Sequence, residues 1–364
     1  MTVDELVSYL DSILKPYYKE SYDNVGLIVG NRSNTVKGVL TTTDITNNTI
    51  DEAIQHNLNV IVSHHPLIFN GIKSVTTSGA TGNMIIKLIT NGISVYTAHT
   101  NLDNLDFGVN ARLAERLGLR QCSILHPVDQ ELRKLVVYVP TLQASMVREA
   151  LYDAGAGHIG NYDRCSYNLE GTGTFRPLEN SNPYCGEVNT DHEEPESRVE
   201  VIYEKRIEQK LIKQLKQHHP YEEPAYDCIP LCNPLHNVGA GMVGTLDKPQ
   251  ETTEFLKKVK ETLGIPTIRC SELCRSTIQR VAICGGSGTF LIGDAIQSKA
   301  DIYLTADIKY HDFQNVENKM ILADIGHFES EQFAKELLYD IISKKFSTFA
   351  CRIAQSDKGY VCYI

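Results

Sequence analysis

The segment Asn59-Val60-Ile61-Val62-Ser63-His64-His65-Pro66 is the part of the chain from which both architecture and chemistry follow. Its apolar, β-branched residues predict a short buried strand of an α/β sheet. Two imidazoles, those of His64 and His65, stand at the carboxyl end of this strand, and Pro66 ends it. Because open α/β sheets bind ligands at this edge, the pair suggests metal ligation. A buried histidine beside a solvated one is the alternative, since His-His alone is a weak motif.

The composition is that of an ordinary globular protein. The chain has 364 residues, 42% hydrophobic and 22% charged, which predicts two or three domains. A formal net charge of -10 argues against nucleic acid as a partner, because phosphate binding needs clustered Lys and Arg. The sequence shows neither a signal peptide nor an apolar run of the roughly 20 residues that span a bilayer. With 10 cysteines and no secretion signal, we expect a cytoplasmic protein with reduced thiols and no membrane part.

Strands and helices alternate in the first third of the chain. Strands are predicted over residues 27–29, 36–42, 59–62 and 93–98. This βαβαβ order indicates a mainly parallel, layered α/β sheet. It places His64, His65 and Asp103 at the carboxyl ends of neighbouring strands, so we expect them in one site.

The pattern changes between residues 132 and 231. Strands and helices are predicted over 135–139, 142–154, a short strand near Thr174, 198–203, 207–216 and 225–229. This order is close to βαββαβ, a ferredoxin-like split βαβ unit. Its size is that of an independent α+β domain inserted into another domain.

The α/β pattern resumes at Val238. Further strands are predicted over 279–283, 301–305 and 319–324, and an edge strand over 359–363 closes the chain. The sequence therefore predicts three parts: a first α/β half over 1–125, an insertion over 126–235 and a second α/β half over 236–364.

A second pair of residues of the types that ligate metals follows the predicted strand over 319–324. His327 and Glu331 are spaced i, i+4 at a helix start, so they share one face and can chelate a metal. The alternative is a helix-start histidine with a solvated glutamate. With His64, His65 and Asp103, three imidazoles and two carboxylates fit two divalent ions better than one. Zinc is favoured, with iron and manganese as alternatives, because geometry decides between them.

Three motifs, in chain order, carry a resemblance to a known family: Ser63-His64-His65-Pro66, Thr100-Asn101-Leu102-Asp103-Asn104 and Gly326-His327-Phe328-Glu329-Ser330-Glu331. Together with Asp23-Asn24-Val25-Gly26-Leu27 they resemble the Nif-three-like family, whose members are also labelled GTP cyclohydrolase I type 2 homologues. The resemblance implies a toroidal homo-hexamer whose sites face its interior. It also implies a dinuclear metal site built from His64, His65, Asp103, His327 and Glu331.

The insertion carries a resemblance of its own. The segment Pro220-Tyr221-Glu222-Glu223-Pro224-Ala225-Tyr226-Asp227, with Arg164-Cys165-Ser166-Tyr167 upstream, is similar to the CutA/PII-like insert of longer family members. That resemblance implies a domain that trimerises. It also places His218-His219-Pro220 in the insert, so we expect a structural loop there despite the repeated His-His-Pro.

Three further features have open interpretations. Relatives often have Thr-Gly-Glu or Thr-Gly-Asp where this chain has Thr305-Ala306-Asp307. Because alanine has a side chain and glycine has none, a close approach of another group to the backbone at Ala306 is in doubt. His99 and His311 could orient ligands or transfer protons, or simply line the cleft. The segment Gly285-Gly286-Ser287-Gly288 could offer N–H groups to a phosphate, although a tight strand-to-helix turn explains it as well.

Two functions follow as hypotheses. The first is a metal-dependent hydrolase that acts on a nucleotide or phosphoester. The family label implies GTP ring opening, but the sequence shows no guanine-reading motif. The second is a non-enzymatic metal-binding or regulatory assembly.

Overall fold

The computed structural model describes residues 1–347 and 349–362. The chain forms two compact units, a first unit of Met1–Pro127 with His236–Ile364 and a second unit of Val128–Leu235. Within the described ranges, every helix is too short or too polar to cross a bilayer.

The helices are α1 (Val3–Leu14), α2 (Asn47–Gln55), α3 (Ala80–Thr90), α4 (Thr100–Asp103), α5 (Val109–Leu117), α6 (Ala144–Ala154), α7 (Glu208–His218), α8 (Thr252–Leu263), α9 (Ile292–Gln297), α10 (Tyr310–Asn315), α11 (His327–Glu331) and α12 (Ala334–Lys345). The strands are β1 (Gly26–Val29), β2 (Gly38–Thr42), β3 (Val60–Ser63), β4 (Ser94–Thr97), β5 (Arg120–Val128), β6 (Leu132–Pro140), β7 (Tyr167–Phe175), β8 (His192–Glu204), β9 (Tyr226–Pro230), β10 (Leu235–Glu251), β11 (Arg269–Cys270), β12 (Thr277–Ser287), β13 (Ile302–Ala306), β14 (Ile321–Asp324) and β15 (Ala350–Ile353).

The first sheet of the first unit has the strand order β1-β4-β3-β2-β15. All neighbours are parallel except β1, which is antiparallel to β4. Val60 and Val62 of β3 pack in the core with α1 and α12, whereas Ile61 packs in the core with α2 and α3. Helices on both faces explain why this strand is a continuous apolar run.

The second sheet of the first unit has the order β11-β14-β13-β12-β10-β5. Its centre, β12 to β14, is parallel, whereas β10 is antiparallel to β12 and β11 is antiparallel to β14. The predicted mixed α/β architecture is confirmed. Strands cross between its two sheets, because β5 from the first chain segment joins the second sheet and β15 from the last segment joins the first.

The predicted closing strand over 359–363 is wrong. The last strand is β15, which pairs in parallel with β2. Residues 359–362 lie outside any strand, and Tyr363 lies outside the described residues. Gly359 has a φ of 72°, a left-handed conformation that interrupts an extended strand.

The second unit is a four-stranded antiparallel sheet with two helices. Its strand order is β7-β8-β6-β9, and the chain runs through it as βαββαβ, with α6 and α7 as the helices. Leu135 and Val199 of the sheet pack with Leu151 and Leu211 of the helices in one core. This is the split βαβ topology.

Candidate metal centre

A cavity of about 480 Å³ lies in the first unit, where strands of both sheets end. β3 leads to the adjacent histidines, β4 leads through His99 into α4, and β14 leads into α11. The cavity wall includes His65, Phe69, His99, Asp103, Cys284, His327 and Glu331. The carboxyl ends of parallel strands therefore supply most of its chemistry.

Glu331, which is 3% exposed, lies between two groups of side chains. Its Oε2 is 2.9 Å from His65 Nε2 and 3.2 Å from His327 Nε2. Its Oε1 is 3.8 Å from His64 Nε2, which is 3.6 Å from Asp103 Oδ1. The structure thus brings all five predicted ligands into one cluster, in which each Glu331 oxygen faces a different group.

Two atoms of this cluster are buried and have no hydrogen-bond partner: His64 Nε2 and Asp103 Oδ1. A buried polar atom without a partner costs about 1–3 kcal/mol. These atoms and a Glu331 oxygen lie within 4.8 Å of one another, close enough to hold one metal ion. Imidazole nitrogen and carboxylate oxygen are donors that suit zinc, iron and manganese. The residues therefore fit a metal centre.

Each imidazole is held from outside the cluster through its Nδ1 atom. The acceptors are Ala98 O for His64 at 2.8 Å, Asp44 Oδ1 for His65 at 2.9 Å, Asp23 Oδ1 for His99 at 2.8 Å and Asp307 Oδ2 for His327 at 2.7 Å. Such partners fix the ring and leave Nε2 for a metal.

Sequence reasoning missed the roles of Asp44 and Asp307. Each follows the end of a strand, β2 or β13, by one or two residues. An acidic residue at a strand exit next to a predicted ligand is the signal that could have found them. Ala306, just before Asp307, is buried and pairs with Ser287, so the structure accommodates the alanine that departs from the family pattern.

The two additional histidines have different positions. His99 lies at the edge of the cluster, where one of its ring nitrogens is within 4.8 Å of those of His64 and His65. His311 is exposed on α10, against the ring of Tyr310. The structure thus brings His99, but not His311, to the cavity.

Charge coupling shifts the pKa values of the cluster. Burial disfavours charge on His65, but hydrogen bonds to Asp44 and Glu331 outweigh it and raise the pKa of His65 to about 10. The bond to Glu331 raises the pKa of His327 to about 9 despite burial. Burial raises the pKa of Asp103 to about 7. Burial also opposes charge on Glu331, but the imidazoles around it, chiefly His327, hold its pKa well below its usual range.

The glycine-rich segment at the carboxyl end of β12 makes room for Glu331. Gly286 has a φ of 62°, and a Cβ atom on it would lie 2.2 Å from Glu331 Oε1. The N–H groups of Gly285, Gly286 and Gly288 donate to Asn110 Oδ1, Ser330 Oγ and Thr305 Oγ1. These donors are occupied by the protein itself, which argues against phosphate binding. Gly285 to Ser287 are the last residues of β12, and the turn that leads toward α9 begins at Gly288.

In the second unit, His219 has a structural place. Its Nε2 donates to Tyr138 O at 2.9 Å, and its Nδ1 accepts from Tyr221 N at 3.0 Å. Both ring nitrogens are therefore used by the backbone, as a structural loop requires.

Comparison with known proteins identifies the family. The sequence model of the family described as Duf34/NIF3 (NGG1p interacting factor 3) matches residues 1–359. A Halalkalibacterium halodurans protein named GTP cyclohydrolase 1 type 2 homolog is 38% identical over 332 residues, which cover 90% of this chain and 89% of that protein. A Bacillus subtilis protein of the same name is 34% identical over 345 residues, 94% of this chain and 91% of that protein. A crystal structure of a Bacillus cereus protein related to NIF3 is 35% identical, covers 100% of this chain and 99% of its own, and has a TM-score of 0.81. The chain therefore belongs to the Duf34/NIF3 family, as its three motifs predict.

Proposed function

We propose that this protein binds two divalent metal ions and hydrolyses a nucleotide or phosphoester. The proposed ligands are His64, His65, Asp103, His327 and Glu331. The observation that carries the proposal is the shared carboxylate, because Glu331 belongs to both groups of potential ligands, His65-His327-Glu331 and His64-Asp103-Glu331. When bound, such a pair of ions supplies Lewis acidity toward substrate oxygen atoms.

His99 is the residue best placed to move a proton beside this cluster. Its Nδ1 is bonded to Asp23 Oδ1, and the other Asp23 oxygen accepts from Thr100 N at 3.0 Å. Burial opposes the charge on Asp23, but these hydrogen bonds outweigh it and hold its pKa well below the usual range. A carboxylate that stays ionised keeps a proton on Nδ1, which fixes the ring and leaves Nε2 as the ring atom that can exchange a proton.

Several finer features belong to this proposal. Zinc is the favoured ion, and iron or manganese the alternatives. We also propose a toroidal homo-hexamer, a cytoplasmic location, and domain boundaries at 1–125, 126–235 and 236–364. The inserted part, a split βαβ unit, is proposed to be CutA/PII-like and to trimerise. Support for these features comes from the family match and the motifs.

The test begins with metal content per chain of the full-length native protein. Metal-free and reloaded samples are then assayed against a panel of nucleotides, including GTP, and phosphoesters. We expect turnover that appears on loading and is lost in Glu331→Gln, while the exposed His311→Gln control keeps it. If the metal-free protein turns over substrate as fast as the reloaded protein, the proposal of a metal-dependent hydrolase is wrong. Stoichiometric binding without turnover on any substrate would instead support a metal-binding or regulatory assembly.

A further inference from the structure

We propose a second kind of metal site, in the second unit, formed by Cys185, His192 and Glu194. Each side chain offers one ligand atom, and these three atoms lie within 4.8 Å of one another. The site is independent of the cluster in the first unit and would take a thiophilic divalent ion such as Zn²⁺.

The strand β8 presents two of the three donors together. His192 and Glu194 are spaced i, i+2 at its start, so their side chains point to the same face of the strand. His192 Nε2 lies 3.1 Å from Glu194 Oε2. Their side chains are 28% and 24% exposed, so both are shielded and yet reachable by an ion from solvent.

The segment before β8 brings the thiol to these two donors. Gly186 has a φ of 83°, and a Cβ atom on it would lie 3.0 Å from the Cβ of His192. That contact would be unusually tight and the positive φ would strain any other residue, so glycine favours this close approach to His192. The close approach holds the half-buried Cys185 beside the strand, with its Sγ 3.8 Å from the Tyr221 hydroxyl.

Aromatic packing holds the imidazole in place. The ring of His192 contacts Phe175, with centroids 5.3 Å apart, and Phe175 contacts Tyr221 at 5.7 Å. Phe175 and Tyr221 also line a cavity of about 280 Å³, together with the buried Glu196. A ligand side chain that is already ordered loses little conformational entropy on binding.

The charge and the donor types select the class of ion. Residues 187–196 contain five acidic side chains and neither Lys nor Arg. Arg176 pairs with Asp191 at 3.7 Å, and the acidic side chains that remain favour a cation. Thiolate and imidazole favour zinc over magnesium or calcium, which prefer oxygen. Binding would release the thiol proton to solvent. Three protein ligands leave one position of a tetrahedral site to water.

The experiment uses the metal-free full-length protein reloaded with Zn²⁺ or, separately, with Co²⁺. Zinc per chain is counted after dialysis, and Co²⁺ reports a sulfur ligand through thiolate-to-metal charge-transfer absorption. The variants are Cys185→Ser, His192→Gln and Gly186→Ala. The matched control is Cys232→Ser, an exposed cysteine of the same unit outside the group, and Glu331→Gln perturbs the first unit alone.

We expect Cys185→Ser to bind one zinc fewer per chain than wild type and to lose the absorption, which Cys232→Ser and Glu331→Gln retain. His192→Gln and Gly186→Ala keep the thiol but should lower the affinity for this ion by more than about tenfold. Tenfold is the smallest usual effect of losing a residue that supports a metal ligand. Unchanged zinc content and absorption in Cys185→Ser would overturn the proposal. An absorption that instead depends on Cys284, beside the first cluster, would also overturn it.

Discussion

Replacing Glu331 by glutamine should weaken the binding of both metal ions that we propose for the first unit. Oε2 faces His65 and His327, whereas Oε1 faces the group that contains His64 and Asp103. Glutamine has nearly the same shape, so the space beside Gly286 stays filled. The change removes the negative charge and replaces one oxygen by an N–H₂ group, which cannot ligate a metal.

The expected magnitude follows from the two faces of this carboxylate. A hydrogen bond to a charged group is worth about 1.5–3 kcal/mol. We expect a loss of similar size at each proposed ion, because one loses its oxygen ligand and the other keeps only a neutral carbonyl oxygen. Since about 1.4 kcal/mol changes an equilibrium constant tenfold, the dissociation constant of each ion should rise by about 10- to 100-fold. In contrast, His327→Gln should affect only the ion beside His65, and Asp103→Asn only the ion beside His64.

Competition with a chromophoric chelator measures both dissociation constants on the full-length protein, and elemental analysis gives the ions per chain. The two single-group variants serve as matched controls, because each removes one donor from one side of Glu331. If Glu331→Gln leaves one ion bound with wild-type affinity, the carboxylate does not bridge, and the reasoning from its two oxygens is wrong.

Four further predictions concern pH, ring orientation and packing. His65 and His327, with metal-free pKa values of about 10 and 9, are protonated at pH 7. Metal binding should therefore release protons, and its affinity should increase as the pH rises toward those values. Calorimetry in buffers of different ionisation enthalpy measures the proton release, and finding none would contradict this prediction. Both values exceed the ordinary 6.5, so these charges stabilise the metal-free fold below that pH, and the stabilisation should fade as the pH rises through 9 and 10 in urea titrations. Asp44→Asn should weaken metal binding by about 10- to 100-fold, and an unchanged dissociation constant would show that Asp44 does not orient His65. Leu10→Ala, at a fully buried position of α1, should lower the free energy of unfolding by about 2–5 kcal/mol in urea denaturation, and a loss under about 1 kcal/mol would mean that the core does not pack as described.

Local signals were sufficient to find the candidate ligands that follow strands. A buried apolar run followed by polar side chains places those side chains at a sheet edge, which is how His64, His65, Asp103 and the helix pair His327 and Glu331 could be found. The period of the apolar residues likewise predicted the βαββαβ order of the second unit. Each of these inferences uses residues that are near each other along the chain.

Contacts between distant segments were beyond such reasoning. Asp44 and His65 are 21 positions apart and Asp307 and His327 are 20 apart, and no helix or strand period relates residues at those separations. The exchange of β5 and β15 between the two sheets also depends on how distant chain segments cross in space.

The amino-acid sequence alone therefore determined which strands end in side chains that could ligate a metal, because backbone periodicity and turn chemistry act over a few residues. Only the tertiary structure decided that both oxygens of Glu331 face separate ligand groups and that carboxylates outside the cluster hold the rings. The reason is that these contacts depend on how two sheets from distant chain segments pack around one cavity.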